Sequence, residues 1–363
     1  MVLYAIVDDA QAGDIFYLGN QWSHLSRDSN YERTITTCQI GGQGTAGLTT
    51  FPPSFTFFFN GESFQFLWLL SRNLNSQNIG ADVKFYGGPI TNKTAFNYTI
   101  DSGFAFSASI NSDTIGKSGA NFWSLQGLTS NQHTLDVTLT AGEFSLDYIT
   151  YTHSPVASLS GNLNVILDDA DSSVQLLGNW TRSPPTIPNG VPYQGTVSGS
   201  STVGDTMKVQ FEGSSVSVYG LLQQKPGNLS ATFSIDGGQS STYSPFGVGQ
   251  LNDSNNSSWS LSQLFYHQDL TPGTHSLLVT VTQVSGSQTL WIDSIVFETT
   301  SDTLISQPSG GDNQNSSNSG LSPGEIGGIG VGGFILLVIV VLNGTFDYEQ
   351  NMSTVTIFMI LYI

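Results

Sequence analysis

The stretch Leu270–Phe297, LTPGTHSLLVTVTQVSGSQTLWIDSIVF, sets the reading of the whole chain. Leu270, Pro272 and Gly273 predict a turn. Leu277, Val279 and Val281 then alternate with Ser276, Leu278, Thr280 and Thr282, the period of a strand with one buried face. Leu290, Ile292 and Ile295 frame Asp293 in a second apolar run, so a hairpin is expected. An earlier stretch, Leu128–Tyr151 (LTSNQHTLDVTLTAGEFSLDYITY), repeats it: His133 answers His275 and Asp147 answers Asp293.

The repeat extends backwards in order. Ile6-Val7-Asp8-Asp9-Ala10 matches Ile166-Leu167-Asp168-Asp169-Ala170, and Leu18-Gly19-Asn20 with Trp22 matches Leu177-Gly178-Asn179 with Trp180. The run from Phe59-Asn60-Gly61 to Phe66 matches Phe211-Glu212-Gly213 to Val218. Tyr98–Gly103 matches Phe233–Gly238. Repeats this long are tandem domains rather than solenoid units. The expected organisation is a first domain over 1–152, a second over 163–299, a stalk over 300–324, an apolar segment over 326–342 and a tail over 343–363. Ser154–Gly161 is a short connector.

Only 10% of the 363 residues are charged, and Gly, Ser, Thr and Asn abound, which suits short strands joined by turns. No segment of helical period precedes residue 320. The fold class expected is all-β: two jelly-roll-type antiparallel β-sandwiches, each independent, with no sheet shared between them. Phe55, Phe57 and Phe59, then Phe64, Phe66 and Trp68, alternate about Asn60-Gly61 and predict a hairpin with an aromatic buried face. Val209, Phe211, Val216 and Val218 about Gly213 are its counterpart.

Nine Lys plus Arg against 27 Asp plus Glu leave no basic patch for nucleic acid or anionic lipid. One cysteine, Cys38, allows no intrachain disulfide. Asn-x-Ser/Thr sequons stand at Asn92, Asn97, Asn179, Asn228, Asn252, Asn255, Asn256 and Asn315, all before the last apolar segment. Strand alternation around Phe96–Ile100 and Leu229–Phe233 predicts that Asn97 and Asn228 face outward. Secretory exposure is therefore expected. Met1–Val7 runs straight into the first strand without a signal-peptide pattern, so a leader outside this sequence is expected.

Ile326–Leu342, IGGIGVGGFILLVIVVL, offers 17 uncharged residues after a Ser/Asn/Gly-rich stalk, the length of a short membrane helix. Gly328 and Gly332 add a GxxxG spacing. No Lys or Arg follows Lys225, so orientation is read from the sequons, with the N-terminal part outside. The expected location is the plasma membrane or a secretory-pathway membrane. The tail 343–363 is too short to span again and reads as translated intron or truncated coding sequence.

Enzymatic chemistry is not expected. No G-x-S-x-G elbow occurs, zinc ligands are missing as a set, and Gly116-Lys117-Ser118 lacks the rest of a phosphate loop. His133 and His275 are expected to cap a turn. Asp8, Asp9 and Asp147, and likewise Asp168, Asp169 and Asp293, are expected to converge. They would gather a hard cation such as Ca²⁺ or, as the simpler expectation with no cofactor and no metal site, bond to protein donors.

The Asp-Asp opening, the run Phe211–Gly220, the turn Ile235–Gly238 and the Gly273-x-His275…Ile292-Asp293 ending resemble the galactose-binding-like superfamily of β-sandwich modules, which includes many carbohydrate-binding modules. The whole arrangement is similar to the single-pass membrane proteins of mushroom-forming fungi, with two such modules, a stalk and one helix. Residues 5–342 carry the resemblance. It implies a cell-surface protein that contacts wall or external glycans through loops at one rim, with a structural or adhesive spacer as the alternative. No sugar site is announced in the loops Phe104–Lys117 and Tyr243–Ser262, although Tyr243, Phe246 and Trp259 have the chemistry to stack on one.

Overall fold

The computed structural model describes residues 4–10, 14–18, 22–26, 30–40, 53–60, 81–129, 132–152, 162–247 and 258–300, all within one compact unit, Met1–Pro308. Copy 1 contains β1 (Tyr4–Asp8), β2 (Ile15–Leu18), β3 (Trp22–Ser26), β4 (Thr34–Ile40), β5 (Ser54–Asn60), β6 (Ala81–Gly87), β7 (Ala95–Ile100), β8 (Phe106–Ser107), β9 (Ala120–Leu128) and β10 (Gln132–Thr152). Copy 2 contains β11 (Asn162–Asp168), β12 (Gln175–Leu177), β13 (Ser198–Ser200), β14 (Thr206–Gln223), β15 (Leu229–Ile235), β16 (Ser241–Tyr243), β17 (Trp259–Val284) and β18 (Leu290–Thr300). The named strand pairings are antiparallel, and the described residues form strands, turns and 3₁₀ turns without an α-helix. No helix among them is long and apolar enough to cross a membrane; the stretch 326–342 and the tail lie outside them.

Each copy is two-layered. In copy 1 the back sheet runs β2–β5–β10–β7–β8, and the second half of β10 leaves it to join β1, β4 and β6 in the front sheet. Phe55 and Phe57 of the back sheet meet Phe144 and Tyr151 of the front sheet at 5.7 and 6.0 Å between ring centres, so the aromatic alternation is core. In copy 2, Phe211 meets Phe297 at 5.4 Å in the same way. Leu277, Val279, Val281, Leu290, Ile292 and Ile295 are all fully buried, as their period predicts.

The long strands explain where the expected hairpins fail. Leu277–Val281 pair with β14 and β15 in the back sheet, whereas Leu290–Thr300 pair with β11, β13 and β14 in the front sheet. The two runs of the opening stretch thus face each other across the core instead of bonding edge to edge. Leu270, Pro272 and Gly273 make a bend inside β17, not a turn between strands. The counterpart hairpin about Gly213 is likewise one strand, β14, crossing from back sheet to front. A Cβ at Gly213 would sit 2.4 Å from the Glu298 carbonyl oxygen, so the glycine serves close approach rather than a reverse turn. The Asn60-Gly61 hairpin falls outside the described residues.

The expectation of two independent sandwiches is corrected by β1. It pairs antiparallel with β11, Tyr4 opposite Ile166 and Ala5 opposite Val165. The front sheet therefore runs without a break as β9–β6–β10–β1–β11–β18–β14–β17 through both copies. Ala5 faces its own equivalent, Val165, so a local two-fold axis relates the copies there. The sequence explains this choice. Ala5-Ile6-Val7 and Val165-Ile166-Leu167 are apolar at every position, the signature of strands buried on both faces.

On the outer face of that sheet lies a second cluster: Ile6, Tyr31, Tyr86 and Tyr148 from copy 1, with Ile166, Tyr193, Tyr219 and Val296 from copy 2. Tyr31 lies 5.1 Å from Tyr219, and Tyr193 lies 5.7 Å from Tyr86, ring centre to ring centre. Tyr86 stacks on Tyr148 at 4.6 Å. The Tyr219 hydroxyl donates to Glu32 Oε1 at 2.5 Å. Ser118, from the sequence Gly116-Lys117-Ser118, donates its amide to Asn189 O at 2.9 Å and accepts from Val191 N at 3.0 Å, so it bridges the copies.

Two outcomes follow from this joint. Differential scanning calorimetry should show residues 4–300 unfolding in one transition, with Tyr148→Ala costing about 3 kcal/mol through loss of a buried ring. Gly213→Ala should cost about 2 kcal/mol by pushing β14 off the Glu298 carbonyl, a change read from urea midpoints.

Candidate functional site

The acidic residues converge in each copy as expected, at the end of β1 or β11. The Asp9 amide donates to Asp147 O at 3.0 Å, and the Asp169 amide to Asp293 O at 3.1 Å. Asp147 Oδ1 accepts the Tyr31 amide at 3.0 Å and Oδ2 accepts Asn30 Nδ2 at 3.0 Å. Asp293 Oδ1 accepts the Tyr193 amide at 2.9 Å. Both carboxyls are fully buried, and that burial drives their pKa values well above the usual carboxylate range.

The paired aspartates share hydroxyls. Thr34 Oγ1 lies 2.8 Å from Asp8 Oδ1 and 2.8 Å from Asp9 Oδ1, and the Thr36 hydroxyl bonds Asp9 Oδ2. In copy 2, Thr196 Oγ1 lies 2.8–3.0 Å from oxygens of Asp168 and Asp169, and Ser198 Oγ donates to Asp169 Oδ2 at 2.6 Å. Burial, and then the neighbouring carboxylate, push Asp8 up to about 7 and Asp168 up to about 6. Burial also raises Asp9 and Asp169.

The partners of these acids are residues that the sequence reading passed over. Tyr31-Glu32-Arg33-Thr34-Ile35-Thr36 and Tyr193-Gln194-Gly195-Thr196-Val197-Ser198 recur as Tyr-x-x-Thr-x-Thr/Ser, each 162 positions apart (193 − 31 = 162, 196 − 34 = 162). That was a legible signal. A short 3₁₀ turn places the tyrosine, with Glu32 and Gln194 both in the left-handed region at φ 47° and 52°. The turn aims the tyrosine amide at the buried aspartate and its ring at the joint. Among the described residues no three acidic, histidine or cysteine side chains are arranged as metal ligands.

His133 and His275 do occupy matching positions. Nδ1 of each lies 2.8 Å from an aspartate oxygen, Asp101 or Asp236, and Nε2 lies 2.8 Å from a carbonyl, Thr129 O or Thr271 O. The second oxygen of each aspartate accepts the next backbone amide, Thr134 or Ser276, at 2.9 and 2.7 Å. Turn capping therefore describes both. Cys38 faces the core on β4, and burial holds its thiol up at about 11.

The residues suggested for sugar stacking are engaged in packing. Tyr243 stacks on Phe265 at 4.5 Å, Phe246 packs against the core, and Trp259 lies 6.3 Å from Trp291. Among the described residues the exposed aromatics are instead Phe104, Phe106 and Phe16, with Phe104 89% exposed in the loop after β7. Of the sequons, Asn92 and Asn179 are exposed and Asn97 is half-buried, with Oδ1 accepting from Ser107 at 3.0 Å. Asn228 precedes β15, is half-buried, and its Oδ1 is closed off from solvent without a hydrogen-bond partner. Asn252, Asn255, Asn256 and Asn315 lie outside the described residues.

No protein family's sequence profile matches the chain, and no curated protein matches it. Among solved structures, one similar to it is a two-domain esterase active on acetylated mannans, crystallised with mannopentaose. It is 13% identical over 38% of this chain and 36% of the esterase, with a TM-score of 0.27. A xanthan lyase from Paenibacillus is 11% identical over 81% of this chain and 26% of its own, with a TM-score of 0.26. The chain thus spans little more than a third of the esterase. At these scores neither likeness bears on what the chain does.

The acid clusters give a pH prediction. A carboxyl whose folded pKa is raised holds a proton that the unfolded chain releases. Its favourable contribution is complete below the ordinary value of about 4 and is lost as pH rises through about 6 to 7. Melting temperature should therefore fall between pH 5 and pH 8, and Asp8→Asn with Asp168→Asn should flatten that slope. Because the carboxyls already have protein donors, a chelator should leave the melting temperature unchanged; a drop of several degrees would restore calcium.

Proposed function

We propose that this chain is a membrane-anchored cell-surface protein. Its β domains are followed in the sequence by a stalk over 300–324 and a membrane helix over 326–342, and contact glycans through loops at one rim. The observation that carries the anchoring is the 17-residue uncharged stretch Ile326–Leu342, which follows a polar stalk that itself begins where β18 ends. Glycan contact rests on the resemblance to carbohydrate-binding modules, including that of two modules in tandem to the fungal membrane proteins. The exposed Phe104 and Phe106 offer an aromatic surface to a sugar. The protein works as a binding body rather than an enzyme.

A spacer without a small ligand is the second reading, and the joint favours it. A sheet continuous through both copies joins them in one unit, and Tyr243, Phe246 and Trp259 are held in packing.

Full-length chain expressed with an added leader in a eukaryotic host tests both parts. The expected result is a membrane fraction with glycans on Asn92, Asn97 and Asn179, none on Asn343, and slower or no modification at the closed-in Asn228. Unmodified sequons in that fraction, or a sugar on Asn343, would overturn the topology. A glycan array probed with the same material should give hits that Phe104→Ala weakens at least about tenfold. A blank array leaves the spacer.

A further inference from the structure

We propose that His275 is a proton latch at the rim of copy 2: as an imidazolium it ties the Asp236 turn to the Thr271 bend, and on losing one proton it must release one of them. The inference stands whether or not the rim binds glycans.

Both neighbours of the ring are acceptors. Asp236 Oδ2 lies 2.8 Å from Nδ1, and the Thr271 carbonyl oxygen lies 2.8 Å from Nε2. A neutral imidazole has one N–H and one lone pair. In either tautomer the lone pair would face an oxygen lone pair at hydrogen-bond distance, so only the doubly protonated ring satisfies both contacts. Asp236 has no freedom to turn away, since its Oδ1 accepts the Ser276 amide at 2.7 Å. Its own backbone is left-handed at φ 54°, followed by Gly237 at φ 70°, so the turn depends on this support.

Position gives the latch its consequence. Asp236 begins the turn between β15 and β16, and Thr271 lies where β17 bends from the front sheet into the back sheet. One side chain thus couples a rim turn to a sheet-switching bend. The groups around the ring are few. Phe211 on β14 faces it at 5.7 Å between ring centres, and β14 also carries Glu212 and Lys208, opposite Thr274 and Leu278. Further along β17, His267 pairs with Asp269 at 3.3 Å, and Glu298 lies on β18.

The direction of titration agrees with this geometry. Burial alone would lower His275, but the Asp236 bond and the Thr271 carbonyl outweigh it and raise the ring above its ordinary 6.5. The His275 bond, with the Ser276 amide, lowers Asp236. A raised histidine makes its tie complete below about 6.5 and loses it as pH climbs through the higher folded value. A lowered aspartate keeps its charge until pH falls below about 4. The latch is closed between those limits and opens on the alkaline side.

The same arrangement recurs at His133, where Thr129 Oγ1 adds a neighbour 3.3 Å from Nε2. The inference is made for copy 2, where among the described residues the ring bonds two acceptors, Asp236 and the Thr271 carbonyl.

Two mass-spectrometric readouts on the full-length chain test it. Deuterium exchange at the imidazole C2 position titrates each histidine, and amide exchange gives protection factors for peptides covering 236–240 and 270–275. His275 should titrate above 6.5. Protection of one of the two peptides should fall about tenfold across that titration, the weight of one charge-assisted hydrogen bond, while the other peptide and β18 stay protected. Asp236→Asn should bring the His275 titration down to 6.5 or below. His275→Gln should show the low protection at every pH. A His275 titration at or below 6.5 in the unaltered chain, or unchanged protection through it, would overturn the latch. Should His275→Gln fail to fold, Asp236→Asn and the unaltered chain decide.

Discussion

A carboxyl group with no water around it needs donors, and Asp147 and Asp293 dictate how each copy closes. Each lies in the last strand and accepts the amide of a tyrosine from the connection entering the third or fourth strand, Tyr31 or Tyr193. The bond fixes a 3₁₀ turn whose central residue sits at positive φ, a conformation that holds only because its surroundings over-determine it. The tyrosine ring is thereby carried to the outer face of the front sheet, where β1 meets β11. Closure of each copy and union of the two copies share one buried polar contact.

That union changes what kind of object the protein is. Tandem domains with a short connector usually contact each other through a modest polar surface and move. Here a strand pair and five buried tyrosines replace it, and the edges of β1 and β11 that would otherwise invite other chains are paired with each other. The duplicated unit uses itself as its partner, in the manner of a two-fold dimer. Ser294 stands in copy 2 where Tyr148 stands in copy 1, so the symmetry is broken within the joint, and Tyr148 contacts both Tyr31 and Tyr86.

The acidity of the chain acquires a local meaning from the same geometry. Its aspartates are not all on the surface. The repeated Asp-Asp pairs are folded inward against threonine and serine hydroxyls, where one hydroxyl proton serves two carboxyls. Such a cluster favours retention of a proton, and its effect on stability runs opposite to that of an ordinary surface carboxylate. His275 follows a different logic: its bond to Asp236 raises the ring above its ordinary value.

The sequence by itself determined the duplication, the all-β class, the apolar faces of the strands and the convergence of the two acidic sets. Those follow from period and order, which each residue carries locally. The capping role of His133 and His275 was legible for the same reason, because it lies within a few residues of a turn. The Tyr-x-x-Thr-x-Thr/Ser repeat was written there too, but its meaning was not, since the aspartates that need it are more than a hundred positions away in the case of Asp147. Only the tertiary structure decided which sheet each apolar run enters. Alternation specifies a buried face and not a bonding partner, so Leu277–Val281 and Leu290–Ile295 read as a hairpin and fold as opposite walls of one core. It also decided that Ala5-Ile6-Val7 is buried on both faces, Ala5 and Val7 in the core and Ile6 in the tyrosine cluster that the two copies share, because a run apolar at every position states that it will be covered and leaves open by what.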